Sequence, residues 1–167
     1  VQVMAVDRFE LIHSDIGVNV MLDGKLFTTY RIQSGNKPIL WPVIGPTGTE
    51  MTRAYPMKEG IKGESSDHEH HRSFWFTHGD VNGISFWDEG EESGQIVHRE
   101  FIQIAGGEKG KLVTRNDWIS KDGAKQCEDE RTHIFGATAK SRWIDFKVRI
   151  SAGEKPIRFG DTKEGCF

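Results

Sequence analysis

Cysteine is scarce: the 167 residues contain two, Cys127 and Cys166. Two cysteines make no disulfide framework, so the redox compartment stays open. A basic excess is missing as well. Lys and Arg number 22 against 25 Asp and Glu, for a net charge of −3. That balance excludes a chain built mainly to bind nucleic acid or to lie on an anionic membrane, although a local basic patch stays compatible with it. Long apolar runs are missing too. The longest are short, such as Ile39 to Trp41, far from the roughly 20 residues of a spanning helix. Neither a nucleic-acid partner nor membrane insertion is expected. No secretory pattern is visible after Val1, because Asp7, Arg8 and Glu10 come soon after it. The start without Met reads as processed or trimmed. The expected protein is soluble, cytoplasmic or exported. There is also no Gly-rich phosphate loop, paired CxxC or nucleophile elbow.

Hydrophobic residues make up 36% of the chain and glycine adds 19 positions, against 5 prolines. That apolar content belongs to a globular domain rather than a disordered chain. The length fits one domain spanning 1–167. Helical periodicity is hard to find and alternation is easy. Ile144, Phe146, Val148 and Ile150 share one face of the stretch from Arg142 to Ile150, the pattern of a half-buried strand. Val18, Val20 and Leu22 alternate into Asp23-Gly24, a hairpin pair, and out into Lys25–Ile32. Asp122-Gly123 repeats the device between Lys111–Ile119 and Lys125–Phe135. From Gln95 to Ala105 the alternation is ambiguous: Ile96, His98, Glu100, Ile102 and Ile104 share one side, but Val97, Phe101 and Ala105 oppose them. Strands separated by turns, without helical stretches, predict an all-β antiparallel β-sandwich. The Gly-, Thr-, Ser- and Pro-containing stretch from Gly45 to Ser66 is a long loop, of the kind that is functional or disordered.

That loop leads into Asp67-His68-Glu69-His70-His71-Arg72, with His78 and Asp80 shortly after. In extended chain, His68 and His70 project to one face and Asp67, Glu69 and His71 to the other, and a bulge would swap the later assignments. Three chemistries compete for this segment. His68 and His70 have the spacing of two ligands to one divalent transition metal, with His78, His98 or Asp80 as a third. Histidine beside carboxylate is the material of general acid–base catalysis near neutral pH. Arg72 among histidines suits an anionic or polyhydroxylated ligand. The bland alternative is a solvated strand end. Four histidines within eleven residues, interleaved with Trp and Phe, favour a functional site.

Trp75 and Trp87 are the candidates for stacking on a sugar, although core packing is the commoner use of Trp. His13 and His133 stand alone, and a strand position suffices to explain His133. His98 points into the core or a cleft. Gly160-Asp161-Thr162-Lys163-Glu164-Gly165 reads as a turn, or as a source of a carboxylate base in Glu164.

The run Asp67-His68-Glu69-His70-His71-Arg72-Ser73-Phe74-Trp75-Phe76-Thr77-His78-Gly79-Asp80-Val81-Asn82-Gly83, with Tyr55-Pro56 before it and Phe86-Trp87 after it, resembles the signature of the bacterial family labelled PmoA. Glu69 stands where that family's motif has proline. The resemblance extends to Lys37-Pro38, Trp41-Pro42, Asp117-Trp118 and the Gly160–Gly165 motif, and covers most of the chain. It implies a soluble β-sandwich similar to the galactose-mutarotase supersandwich, in a setting of sugar and polysaccharide metabolism. It implies a carbohydrate or sugar-derived small molecule as partner. By analogy with mutarotase-like sites, His70, His71 or His78 is the candidate acid and Glu164 the candidate base. Arg72, Trp75, Asp80, Asn82 and Trp87 are the candidate substrate-binding residues. Family members run longer, so the chain ending at Phe167 reads as the N-terminal part of a longer domain, with an open sheet edge and self-association as consequences. A non-catalytic carbohydrate-binding module and a metal-dependent oxygenase or hydrolase are the competing functions.

Overall fold

Asp23 and Gly24 take φ of 49° and 75°, the two positive values that a tight hairpin turn demands. They join β2 (Gly17–Leu22) to β3 (Lys25–Ser34). Val18, Val20 and Leu22 all point into the core, as their alternation predicts. This is seen in a computed structural model that describes residues 8–165. Cys166 and Phe167, and the expectations attached to them, lie outside the described residues. The other strands are β1 (Phe9–Ser14), β4 (Lys37–Val43), β5 (Phe74–Trp75), β6 (Gln95–Ala105), β7 (Gly110–Ile119), β8 (Lys125–Ala137) and β9 (Arg142–Ala152). No helix occurs among the described residues, so none is long and apolar enough to cross a membrane.

The strands form two antiparallel sheets, ordered β1-β2-β3-β4-β5 and β6-β7-β8-β9. Phe9, Val20, Phe27 and Leu40 from the first meet Leu112 and Phe135 from the second in one buried cluster. Two sheets sharing a core in this way make an antiparallel β-sandwich.

The turn between β7 and β8 departs from expectation. The Ser120 amide donates to the Ala124 carbonyl at 2.9 Å, and Gly123 has φ +87°. Lys121, Asp122 and Gly123 therefore form a three-residue loop with glycine in the left-handed position, rather than a two-residue turn. The ambiguity of β6 also has a cause. Its pairing with β7 shifts register between His98 and Glu100 and again between Phe101 and Gln103. Each shift adds one residue and resets the alternation. Inward positions become Ile96, His98, Phe101 and Ile104, and Glu100 and Ile102 face out.

β8 runs through the centre of the second sheet and alternates strictly. Cys127, Asp129, Arg131, His133 and Phe135 all face the core. The Asp129 carboxylate accepts hydrogen bonds from Arg131 (Nη2 to Oδ2, 2.7 Å), Trp118 Nε1 (2.7 Å) and Asn116 Nδ2 (2.6 Å). A buried charge survives when it is paired and hydrogen-bonded in this way. Burial pushes the Cys127 thiol up to about 12, which keeps it a neutral packing group.

His133 lies among Tyr30, Phe74, Phe135 and Phe146. Burial first, and the Arg131 charge second, lower its pKa from 6.5 to about 3. The unfolded chain therefore takes up a proton below pH 6.5 that the folded chain excludes. Stability should fall as pH drops from 6.5 toward 3, with a contribution from this residue of about 1 kcal/mol per pH unit. Urea unfolding of wild type and His133→Phe between pH 7 and 4 checks this. The variant should lose less stability on acidification, and parallel profiles would contradict the assignment.

Candidate functional site

The loop from Gly45 to Ser66 is closed by its own side chains. Arg53 donates to the carbonyls of Tyr55 (3.1 Å), Ser65 (3.2 Å) and Asp67. Glu64 accepts the amides of Ala54 (2.7 Å) and Tyr55 (3.0 Å). The loop thereby delivers the chain to Asp67 at a fixed place.

Beyond Asp67 the backbone turns instead of running extended as a strand. The His71 amide donates to the His68 carbonyl at 2.9 Å, and His68 has φ +47°. These close a β-turn over residues 68–71. Ser73, at φ +65°, bends the backbone again before β5, and its hydroxyl donates to the Leu40 carbonyl at 2.7 Å. Alternation would have split the histidines between two faces, whereas the turn gathers them. Ring centroids lie 5.2 Å apart for His68 and His71, 4.6 Å for His70 and His71, and 5.7 Å for His68 and His70.

Beneath the turn lie Trp75 and Trp87, with ring centroids 4.4 Å apart. Trp75 is held in β5 opposite Ile39 of β4. His71 lies 5.8 Å from the Trp75 ring and 5.7 Å from that of Trp87. The two indoles are only 7% and 8% exposed. They form the floor under the imidazoles rather than an open wall.

Arg72 is committed to the protein itself. It holds Glu89 through two parallel hydrogen bonds, Nε to Oε1 at 2.7 Å and Nη2 to Oε2 at 2.6 Å, the forked geometry that guanidinium and carboxylate share. Glu89 Oε1 also accepts Lys37 Nζ at 2.8 Å. Lys37 is fully buried and sits 4.9 Å over the Trp75 ring. Burial alone would raise the Glu89 carboxyl, but the hydrogen bonds from Arg72 and Lys37 hold it below its usual range. Gly35, at φ +59°, turns the β3–β4 hairpin against this cluster, and a Cβ there would run into the Glu89 carboxylate and Arg72. Neither Glu89 nor Lys37 stands out in the sequence: one lies in an acidic stretch, the other opens an apolar strand.

Asp67 orients His68. His68 Nδ1 lies 2.9 Å from Asp67 Oδ2. Hydrogen bonds from Ser65 and then His68 lower the Asp67 carboxyl. This assigns His68 Nδ1 to the carboxylate and leaves Nε2 as its other nitrogen for exchange, the arrangement that a carboxylate imposes on a working imidazole. Among the described residues, the ring nitrogens of His70 and His71 have no hydrogen-bond partner. Burial lowers the pKa of both, and the Asp88 charge partly opposes this at His70. At His71 the neighbouring His70, His68 and Arg53 lower it further, while Glu164 acts the other way.

The remaining predicted residues bind the C-terminal segment. His78 Nε2 donates to the Gly160 carbonyl at 3.0 Å, and its Nδ1 is sealed from solvent. Asp80 accepts the Gly83 amide at 2.9 Å. Asn82 pairs with the Arg158 backbone in both directions, each at 2.9 Å. Glu164 is brought to Gly79, where its carbonyl accepts the Gly79 amide at 3.2 Å and a Cβ on Gly79 would lie 2.7 Å from its own. Its carboxylate pairs with Lys163 at 3.4 Å and, among the described residues, accepts no hydrogen bond from a histidine. The structure thus brings His68, His70 and His71 together, with Glu164 near enough for its charge to reach His71, and sets His78, Asp80 and Asn82 in a structural seam. Among the described residues no group of three or more His, Cys, Asp or Glu is placed to hold a metal ion, so His68 and His70 find no third ligand in His78, His98 or Asp80.

A family model described as a family of unknown function, DUF6807, matches residues 17–167. No curated protein and no solved structure matches the chain.

The Glu89 clamp yields a direct prediction. Glu89→Gln leaves the buried Lys37 and the partly buried Arg72 without a counter-charge and should cost about 3–5 kcal/mol in chemical unfolding. Adding Lys37→Met should recover part of that loss, because one of the stranded cations is gone. A double variant no more stable than Glu89→Gln alone would contradict the shared carboxylate.

Proposed function

The chain belongs to the DUF6807 family, whose function is unknown, and we propose that its His68–His71 turn is an acid–base site for a carbohydrate or sugar-derived small molecule. The observation that carries this reading is the pair His70 and His71: two imidazoles with lowered pKa and unpartnered nitrogens, on a fixed indole floor. A neutral imidazole accepts a proton near neutral pH. The proton accepted by His71 is favoured by the Glu164 carboxylate, and His68, oriented by Asp67, supplies a second exchange site. On a sugar ring, one neutral imidazole takes the proton of the anomeric hydroxyl, and the imidazolium so formed returns that proton to the ring oxygen as the bond from the anomeric carbon to the ring oxygen breaks. This is the chemistry of an isomerase, and with water or a leaving group it extends to hydrolases and lyases.

The sugar itself is suggested by the resemblance of residues 67–83 to the PmoA-labelled family and by the mutarotase analogy. Arg72 serves this site by holding the turn through Glu89, and Trp75 and Trp87 serve it as floor. The non-catalytic binding reading uses the same turn with the imidazoles as polar lining.

Titration of the protein with glucose, galactose, glucuronate and their oligomers should shift the His70 and His71 ring resonances for at least one of these compounds. Polarimetry should show accelerated anomerisation of that ligand. His71→Gln should slow the reaction on the order of 10²-fold, with His13→Gln, at an exposed position of β1, as the unaffected control. Binding without acceleration would favour the module. Absence of any resonance shift across the panel would overturn the carbohydrate reading.

A further inference from the structure

Apart from the His68–His71 turn, β6 carries a partly buried histidine with chemistry of its own. His98 sits on β6 immediately before the first register shift, opposite Asn116 of β7. Its Nδ1 lies 3.1 Å from the Tyr30 hydroxyl. That hydroxyl is also 3.3 Å from Asn116 Oδ1, and Asn116 Nδ2 donates to Asp129 at 2.6 Å.

The direction of each bond in this relay is determined from its inner end. An Asp129 carboxylate that already gathers donors from Arg131 and Trp118 is an acceptor, so Asn116 must turn its NH₂ toward it. Asn116 Oδ1 then faces Tyr30 as an acceptor, and the single hydroxyl proton of Tyr30 goes to it. The Tyr30 oxygen is left to accept, so His98 must be protonated at Nδ1. Burial raises the Tyr30 pKa, which keeps the hydroxyl intact, and burial likewise lowers that of His98. The outer nitrogen, Nε2, then carries a lone pair. It has no partner among the described residues and is not one of the sealed atoms.

His98 lines a half-open cleft of about 140 Å³ with Ile32, Gln33, Asn36, Gln95 and Val97, of which Ile32, Gln33 and Gln95 are exposed. Asn36 makes a stiff rim, since its amide donates to the carbonyls of Asp88 and Gly94 at 2.8 Å each. A closed cavity of about 150 Å³ holds one benzene, so this cleft has room for a single six-membered ring. Ile32 and Val97 offer apolar contact, Gln33 and Gln95 offer amides, and Nε2 requires a donor. His98 shares the inward face of β6 with Ile96 by simple alternation, and the register shift that follows turns Glu100 out.

We propose that this cleft is a second ligand site, separate from the His68–His71 turn, which takes one six-membered ring bearing a hydroxyl, bound through O–H donation to His98 Nε2. Aromatic alcohols and pyranoses share that chemistry, and the experiment distinguishes them.

In protein labelled with ¹⁵N-histidine, long-range correlation spectra at pH 7 should show His98 protonated at Nδ1 and pyridine-type at Nε2. Tyr30→Phe should turn this into a mixture of tautomers. Protonation at Nε2 in the wild type would overturn the relay and the proposal with it. Phenol and methyl glucopyranoside are then added separately. Movement of the Nε2 resonance toward the hydrogen-bonded range with phenol alone assigns an aromatic alcohol, and with the glycoside alone a sugar. Gln95→Trp, which places an indole in this space from an exposed position, should weaken binding at least 10-fold. Failure of both probes to move Nε2, or binding unchanged in Gln95→Trp, would overturn the site. His71→Gln should leave all of these readouts unchanged, which separates this proposal from the acid–base reading of the turn.

Discussion

One carboxylate, that of Glu89, holds a buried lysine and a partly buried arginine, and the candidate site is built around it. Arg72 comes directly after the histidine turn, Lys37 opens β4, and Glu89 lies two residues beyond Trp87. Three stretches distant in sequence thus share one ion-paired centre. Such centres are weak sources of net stability, because desolvation offsets much of the attraction. Their effect here is geometric. With Arg72 drawn down to Glu89, His70 and His71 sit above Trp87, and with Lys37 over Trp75 the indole pair has a charged support behind it. The fork of Arg72 admits little rotation, so the turn it terminates inherits a fixed orientation.

The second organising charge is Asp129. It lies between the sheets and satisfies Arg131, Trp118 and Asn116 together. Around these two carboxylates the fold treats histidine consistently. His133 is buried completely and stays neutral far into acid, while His70, His71 and His98 are buried in part and are lowered less. The common cause is that a half-dry environment disfavours the imidazolium. The consequence is a protein whose partly open imidazoles are proton acceptors at neutral pH. At His71 the Glu164 charge opposes that tendency, as a base that must hold a proton briefly requires.

The sheets were legible from local pattern. Val18, Val20 and Leu22 before Asp23-Gly24, and Ile144 to Ile150 by twos, predicted strands that the structure contains. β6 and β8 were legible as strands, but which of their side chains are buried was not, for two different reasons. In β6 the register shifts reset the alternation, and such shifts leave no mark in composition. In β8 polarity itself misleads, since Asp129 and Arg131 look like solvent-facing residues and are the most deeply buried ion pair. The histidine cluster was visible as a run of residue types, and its geometry was not. A left-handed His68 and a bent Ser73 convert an expected strand into a turn. Glu89 escaped because Asp88-Glu89-Gly90-Glu91-Glu92 reads as a solvated loop, and only the distant Arg72 and Lys37 single out one of its four acids.

For a family of unknown function, the central claim is that the fold presents neutral, unpartnered imidazoles at His70 and His71. A pH titration of the histidine ring resonances by NMR tests it most directly. Both rings should titrate below the ordinary value of 6.5, as partial burial and neighbouring positive charge require. Titration of both at or above 6.5 would mean that the turn is open to solvent or paired with acids, and would contradict it.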